Sequence, residues 1–135
     1  MIDFFNVGLG CLAFSQKVLQ SHLGEIIQDA GELLKGRLSD TGEDFFILNP
    51  LVIVNCFDKD SSKYRATPDG TVIVQVEKYH FHGNRIGVSL FKIPETFRTC
   101  VYASHMAVEP DDEFFRVYNE EQFTGLVFEE VWNDN

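Results

Sequence analysis

Basic residues are scarce in this 135-residue sequence, and their scarcity limits what the protein can bind. Eleven lysines and arginines stand against 21 aspartates and glutamates, which gives a formal net charge of −10 at pH 7. Because contact with nucleic-acid phosphates requires lysine and arginine, the composition argues against direct binding of nucleic acid. It favours solubility and association with a basic partner instead.

Cysteine is scarce too, with three residues that lie far apart, Cys11, Cys56 and Cys100. Disulfide frameworks and zinc sites need cysteines in closely spaced pairs, and no such pair occurs. Each of the three sits in an apolar run, where an unpaired cysteine behaves as a small hydrophobic residue. We therefore predict three free thiols, all of them buried.

Long apolar runs are absent as well. A membrane-spanning helix needs roughly 18 to 20 consecutive apolar residues, and no stretch approaches that length. Near the start, Asp3 occupies a position where a signal peptide would carry positive charge, and no cleavage pattern follows. The sequence therefore predicts a cytoplasmic protein that does not enter a membrane.

The sequence does contain enough apolar surface for one domain. Apolar residues make up 44% of the chain and include 13 phenylalanines, which predicts an aromatic-rich core. The length suits a single domain, and no linker or low-complexity tract divides residues 1–135. Short strand and helix patterns predict an α+β fold, a mostly antiparallel sheet with two or three short helices packed on it.

Helix signals recur along the chain. Ser15 is the predicted N-cap of a helix that Gly24 ends, and Ser104 is predicted to cap a helix in the same way. A further helix is predicted over 110–122, where a proline in the first turn is followed by acids that favour the helix N-terminus. Residues 25–39 fit a helix and a strand equally, so that choice stays open. The predicted strands are 44–48, 71–81, 88–93, 100–103 and 126–132.

No catalytic motif is recognisable, neither a GxSxG nucleophile elbow nor a GxxxxGK[ST] phosphate loop. His80 and His82 would share one face of a strand and could reach one metal ion, but no third ligand is specified. Asp58 and Asp60 have calcium-like spacing without the glycine and distal glutamate of an EF-hand loop. We interpret the histidines as a solvated strand end and the aspartates as a solvated turn. The sequence thus predicts neither an enzyme nor a cofactor.

The acidic residues concentrate at the C-terminal end. From Glu109 onwards nine acids face the single base Arg116, so this segment carries −8 of the total −10. Aromatic residues alternate with these acids, and aromatic anchors bordered by carboxylates suit the binding of a basic protein. We assign the apolar side chains of the closing segment, Phe128, Val131 and Trp132, to the core. The predicted partner-binding residues are Glu109, Asp111, Asp112, Glu113, Phe115, Tyr118, Glu120 and Glu121.

Four segments, in this order and spacing, resemble a known family. They are DFFNVGLGCLAFSQKVL (3–19), DFFILNPLVIVNCFDKDSSKY (44–64), VEKYHFHGNRIGVSLFKIPE (76–95) and FTGLVFEEVW (123–132). Together they resemble a bacterial immunity protein family, number eleven among those of polymorphic toxin systems and formerly a domain of unknown function. One departure is the insertion AVEPDDEFF after Ser104, where the family tends to run straight into a helix.

The resemblance implies a cytosolic protein that neutralises a cognate toxin by direct stoichiometric binding, with no catalytic residues of its own. The charge, taken independently, fits a basic toxin such as a nuclease. The alternative is a non-catalytic structural or regulatory interaction domain that self-associates, for example as a homodimer, without a toxin partner.

Overall fold

The computed structural model describes residues 2–96 and 99–134. Its architecture is α+β, with mostly antiparallel strand pairs and three short α-helices, which confirms the predicted fold class. Two hydrophobic cores lie in this fold, one beneath the helices and one in the second half of the chain.

The first half of the chain forms a four-stranded antiparallel sheet. Its strands are β1 (Phe4–Asn6), β2 (Leu12–Ser15), β3 (Gly31–Arg37) and β4 (Asp44–Pro50), in the order β1-β2-β4-β3. Leu12 lies opposite Leu48 and Phe14 opposite Phe46, so large apolar side chains meet on one face. This order leaves β1 and β3 as the outer strands.

Three helices contribute to the first core: α1 (Gln16–Leu19), α2 (His22–Ala30) and α3 (Phe114–Glu120). In α2, Leu23 and Ile27 recur at helical spacing and are fully buried, because they lie on the face that packs on the sheet. The buried members of this first core are Phe4, Phe14, Val18, Leu23, Ile27, Leu48, Leu90, Phe114, Val117, Tyr118 and Phe123.

The segment 25–39 contains both elements that the sequence left open. Helix α2 ends at Ala30, and β3 begins at the next residue, Gly31. The Ala30 carbonyl accepts a hydrogen bond from the Leu51 N–H at 3.1 Å, which holds the junction against β4. A Cβ on Gly31 would collide with the carbonyl oxygen of Asn49, so only glycine fits where the helix passes directly into the strand.

Two predicted helix boundaries are wrong. Gly24 lies inside α2 instead of ending a helix, and its missing Cβ lets the Leu19 carbonyl approach closely. Ser15 does precede α1, but its hydroxyl is buried without a hydrogen-bond partner and makes no cap. Ser104 starts no helix either, because its Oγ donates to the Val88 carbonyl at 2.9 Å.

The second half of the chain holds two small antiparallel pairs. They are β5 (Lys63–Ala66) with β6 (Ile73–Lys78), and β7 (Leu90–Phe91) with β8 (Tyr102–Ala103). Around them lies the second core, whose buried members are Cys56, Phe57, Phe81, Phe91, Ile93 and Tyr102. Three of the predicted strands are therefore real but shorter than 71–81, 88–93 and 100–103.

The predicted strand 126–132 is absent from the described part of the chain, where this segment is irregular. Its apolar side chains nevertheless pack as expected. Phe128 packs against the first core, whereas Val131 and Trp132 pack against the second. The closing segment therefore bridges the two cores, with the Trp132 ring 5.6 Å from the Phe81 ring.

The three cysteines are free, as predicted, but they are not all buried. Cys56 is fully buried, Cys11 is half-buried and Cys100 is exposed. Burial, with the nearby Glu95 carboxylate, raises the pKa of the Cys56 thiol to about 11. Among the described residues, none of the helices has the length and apolar character required to traverse a bilayer.

Candidate protein-binding site

The predicted helix 110–122 is divided in two, and this division shapes the acidic segment. A 3₁₀ turn covers Pro110–Asp112, and α3 begins only at Phe114. Glu113 lies between them with an extended backbone (φ −94°, ψ 117°). Its side chain consequently points away from the acids around it in sequence and becomes buried.

Five of the eight predicted partner-binding residues are exposed, namely Glu109, Asp111, Asp112, Glu120 and Glu121. Phe115 is half-buried. The other two, Glu113 and Tyr118, do not lie at the surface as expected, because they are 2% and 5% exposed. Neither side chain can contact a partner in this conformation.

Glu113 anchors the loop that precedes it. One carboxylate oxygen accepts the backbone N–H of Met106 at 2.6 Å, and the other lies 3.1 Å from His105 Nδ1. A buried carboxylate is costly unless hydrogen-bonded donors satisfy it. The loop therefore supplies the hydrogen-bond donors that the Glu113 carboxylate requires, and Glu113 in turn fixes the positions of His105 and Met106.

Met106 is displayed to solvent in an unusual conformation. Its φ is +66° and its side chain is 82% exposed. A left-handed backbone costs a residue other than glycine on the order of 1 kcal/mol or more. The hydrogen bond to the buried Glu113 carboxylate offsets this cost, so the apolar side chain is held outward. Sequence reasoning missed Met106, since its display depends on a carboxylate seven residues away.

A shallow groove of about 410 Å³ lies beside Met106, between the loop and α3. Apolar surface from Met106 and Phe115 lines it, and the Glu120 carboxylate stands at its edge. The residues lining the groove are His105, Met106, Phe115, Arg116, Asn119 and Glu120.

The aromatic side of the groove is supported from behind. The Phe115 ring meets the His105 ring edge to face at 5.5 Å and the Phe128 ring at 4.9 Å. Such packing restricts the Phe115 ring, because both neighbours hold it in T-shaped contact. The Phe115 ring is thus held in place before a partner binds and would lose little side-chain entropy on binding.

Tyr118 has a structural role instead of the predicted binding role. Its hydroxyl accepts the Leu126 N–H at 3.0 Å, and its ring packs 5.1 Å from that of Phe128. It therefore fixes the closing segment behind the groove. The sequence pattern of aromatic residues among acids could not separate Tyr118 from Phe115, because the two lie three residues apart on α3 and both rings contact Phe128.

The segment that contains α3 is strongly acidic. From Glu109 to Asp134, eight of the nine acids are exposed, and the only base, Arg116, is also exposed. Arg116 Nε donates to Glu120 Oε1 at 3.1 Å, so one acid is locally paired. The remaining exposed carboxylates create a strongly negative field that attracts basic partners.

His22 joins α2 to the acidic turn. Its Nε2 lies 2.6 Å from the Asp111 carbonyl oxygen, and its Nδ1 lies 3.1 Å from Glu25 Oε2. The imidazolium form donates to both oxygens. The Asp111 carbonyl first, and then the Glu25 carboxylate, raise the pKa of His22 above its usual value.

The other candidate sites show no convergence of ligands. Strand β6 ends at Lys78, and His80 and His82 flank Phe81, which forms an isolated antiparallel bridge with Phe57. Within the described residues, no three metal-binding side chains come together. Asp58 Oδ1 accepts the N–H groups of Asp60 and Ser61 at 3.1 and 3.2 Å, which is the solvated-turn arrangement.

Comparison with known proteins gives no matching family model, no matching characterised protein and no matching solved structure. What the fold and the groove define is an α+β domain with an open groove, in a segment of the chain that is rich in exposed acids. The assignment of function therefore depends on the geometry of the groove and the charge of that segment.

Proposed function

We propose that this protein binds a basic protein partner through the groove beside α3, and that it acts as a cytoplasmic immunity protein that neutralises a toxin. The observation that carries the proposal is Met106, an exposed apolar side chain held in place by the buried Glu113. Methionine is enriched at protein interfaces, and a backbone fixed before binding lowers the cost of association. The sequence resemblance to immunity proteins supports the same reading.

The exposed acids define the partner's chemistry. Carboxylates at Glu109, Asp111, Asp112 and Glu121 would accelerate the approach of a positively charged surface. A nuclease exposes such a surface where it binds nucleic-acid phosphates. An acidic inhibitor that covers this surface prevents substrate from binding, and stoichiometric association is then sufficient without any catalysis.

The test is binding and rescue with the product of the gene beside this protein's gene, expressed as the candidate toxin. We expect tight binding that weakens as salt rises, and restored growth when both proteins are expressed in one cell. Met106→Ala should weaken binding by about tenfold or more, as loss of a hot-spot contact does. Binding without rescue, or rescue that Met106→Ala leaves unchanged, would contradict the proposal.

Leu9 offers a matched control for Met106. It is 84% exposed and also has a positive φ, +58°, but it lies in the turn between β1 and β2. Leu9→Ala removes a similar exposed apolar side chain from a similar backbone conformation outside the groove. It should leave both binding and rescue unchanged.

A second candidate function, self-association, is favoured by the outer strand β3. Its seven residues pair with β4 without irregularity, and its other edge carries no strand in the described part of the chain. Leu34 on this strand is 51% exposed. Free strand edges pair readily with a second copy. Sedimentation over a wide concentration range decides: a dimer that Leu34→Lys disrupts supports this function, and a monomer throughout excludes it.

A further inference from the structure

We infer that the groove beside α3 receives an arginine side chain of the partner. This inference rests on the proposed function, since it specifies the chemistry of the group bound at the same site. Arginine combines an apolar stem with a planar cationic head, and the groove offers a surface for each part.

The stem is matched by the apolar wall. Met106 and Phe115 line the groove, and the Phe115 ring is held between the His105 and Phe128 rings. The methylene groups of an arginine can lie on this surface, and a guanidinium stacks well on aromatic rings. Methionine adapts its shape to such a contact.

The head is matched by oxygen acceptors on α3. Asn119 Nδ2 donates to the Phe115 carbonyl at 2.8 Å, which commits the amide nitrogen and leaves Asn119 Oδ1 as an acceptor. Glu120 uses Oε1 to bind Arg116, so its second oxygen retains full acceptor capacity. The carboxylate of Glu120 can accept from the planar, forked donors of a guanidinium, which match a carboxylate better than the compact ammonium of lysine does.

Arg116 already demonstrates that a guanidinium is compatible with the groove. It lines the groove, and its Nε donates to Glu120 at 3.1 Å. An incoming arginine would share the Glu120 carboxylate with Arg116, and the two positive charges would repel each other. Removal of Arg116 should therefore strengthen binding. A purely structural role for Arg116 predicts no such gain in affinity.

The experiment is an NMR titration of the whole protein with the blocked peptide acetyl-Gly-Arg-Gly-amide and with its lysine counterpart. The chain has two methionines, so the Met106 methyl signal can be assigned with a Met106→Leu variant. We expect the arginine peptide to shift this signal and the amide signals of 115–120, and to bind about threefold more tightly than the lysine peptide.

Variants of four charged residues test whether the peptide binds in the groove. Glu120→Gln should weaken binding of the arginine peptide severalfold, whereas Glu32→Gln on the distant strand β3 should not. Arg116→Gln should strengthen binding, whereas Arg65→Gln, which makes the same charge change on β5, should leave it unaltered. Shifts spread over all the acidic residues, equal binding of both peptides, or no shift of the Met106 methyl would each overturn the inference.

The inference and the proposed function fail separately. If the peptide binds in the groove and no toxin is neutralised, the arginine site stands and the immunity function falls. If the toxin is neutralised but the peptide binds elsewhere or not at all, the function stands and the arginine site is wrong.

Discussion

The ammonium group of Lys92 donates a hydrogen bond to the side-chain oxygen of Asn49 at 2.8 Å, and Lys92 is 4% exposed. Asn49 belongs to β4 of the four-stranded sheet, and Lys92 follows β7 beside the second core. Lys92 makes no ion pair with any residue that the structure describes. A buried cation is thus satisfied by an amide at the boundary between the two halves of the fold.

This contact predicts how substitutions at Lys92 affect stability. Lys92→Ala should lower the free energy of unfolding by about 2–4 kcal/mol, because it leaves a cavity and an unpaired Asn49 amide. The double variant Lys92→Met with Asn49→Leu should be near neutral, since apolar groups of similar shape replace both partners. Urea unfolding of the variants measures this, and a double variant as unstable as Lys92→Ala would contradict it.

Glu113 should control the loop that displays Met106. In Glu113→Ala the Met106 N–H loses its acceptor, so the left-handed conformation is no longer supported. We expect the free energy of unfolding to fall by about 1–3 kcal/mol and partner binding to weaken as well. Glu109→Ala is the control, since Glu109 is an exposed acid in the same segment. A Glu113→Ala protein that binds its partner normally would show that the display of Met106 is irrelevant.

His22 should make stability depend on pH. Its pKa is raised in the folded protein, chiefly by the Asp111 carbonyl and also by Glu25. Its contribution to stability is therefore fully present below the unfolded pKa of about 6.5. It is lost as pH rises through the folded pKa. His22→Gln should remove this component, so the two proteins should differ more at pH 5.5 than at pH 8 in urea unfolding, and a difference that grows with pH would have the wrong sign.

The sequence predicts well where one local pattern suffices. The strand at 44–48 and the α+β class follow from alternation, turn residues and apolar spacing, all of which act within a few residues. Prediction from the sequence fails where a contact outside the local pattern determines the position of a side chain. Glu113 reads as one more surface acid, yet the Met106 N–H and His105 draw it inward. Gly24 reads as a helix end because glycine commonly follows a helix, whereas here its missing Cβ accommodates the Leu19 carbonyl at the end of α1.

The candidate site likewise has one part that the sequence predicts, the exposed acids, and one part that it does not, the groove. Exposure of the acids at 109, 111, 112, 120 and 121 follows from their charge alone, because exposed carboxylates need no partner. The groove itself depends on Met106 and on the packing of Phe128 behind Phe115. These residues come from three separate segments, and only the folded chain brings them together.

Thiol reactivity should distinguish the three cysteines. Cys100 is exposed, whereas Cys56 is buried and burial raises its pKa to about 11. Because the thiolate is the reactive form, Cys56 should resist alkylation in the folded protein. Iodoacetamide labelling followed by mass spectrometry should modify Cys100 first and Cys56 only in denaturant. Early modification of Cys56 in the folded protein would contradict the described burial.

Strand β3 contains two glycines, Gly31 and Gly36, and neither has a positive φ. Gly31 should be the harder of the two to replace. Gly31→Ala places a methyl group against the Asn49 carbonyl, so the junction between α2 and β3 must move away from β4. We expect a loss of about 2 kcal/mol or more in the free energy of unfolding, as for other substitutions that strain the backbone or overpack it. Gly87→Ala is the matched control, since a Cβ there meets nothing within 4 Å. Equal stability of both variants in urea unfolding would show that the direct passage from α2 to β3 does not require glycine. The statement that only glycine fits at position 31 would then be wrong.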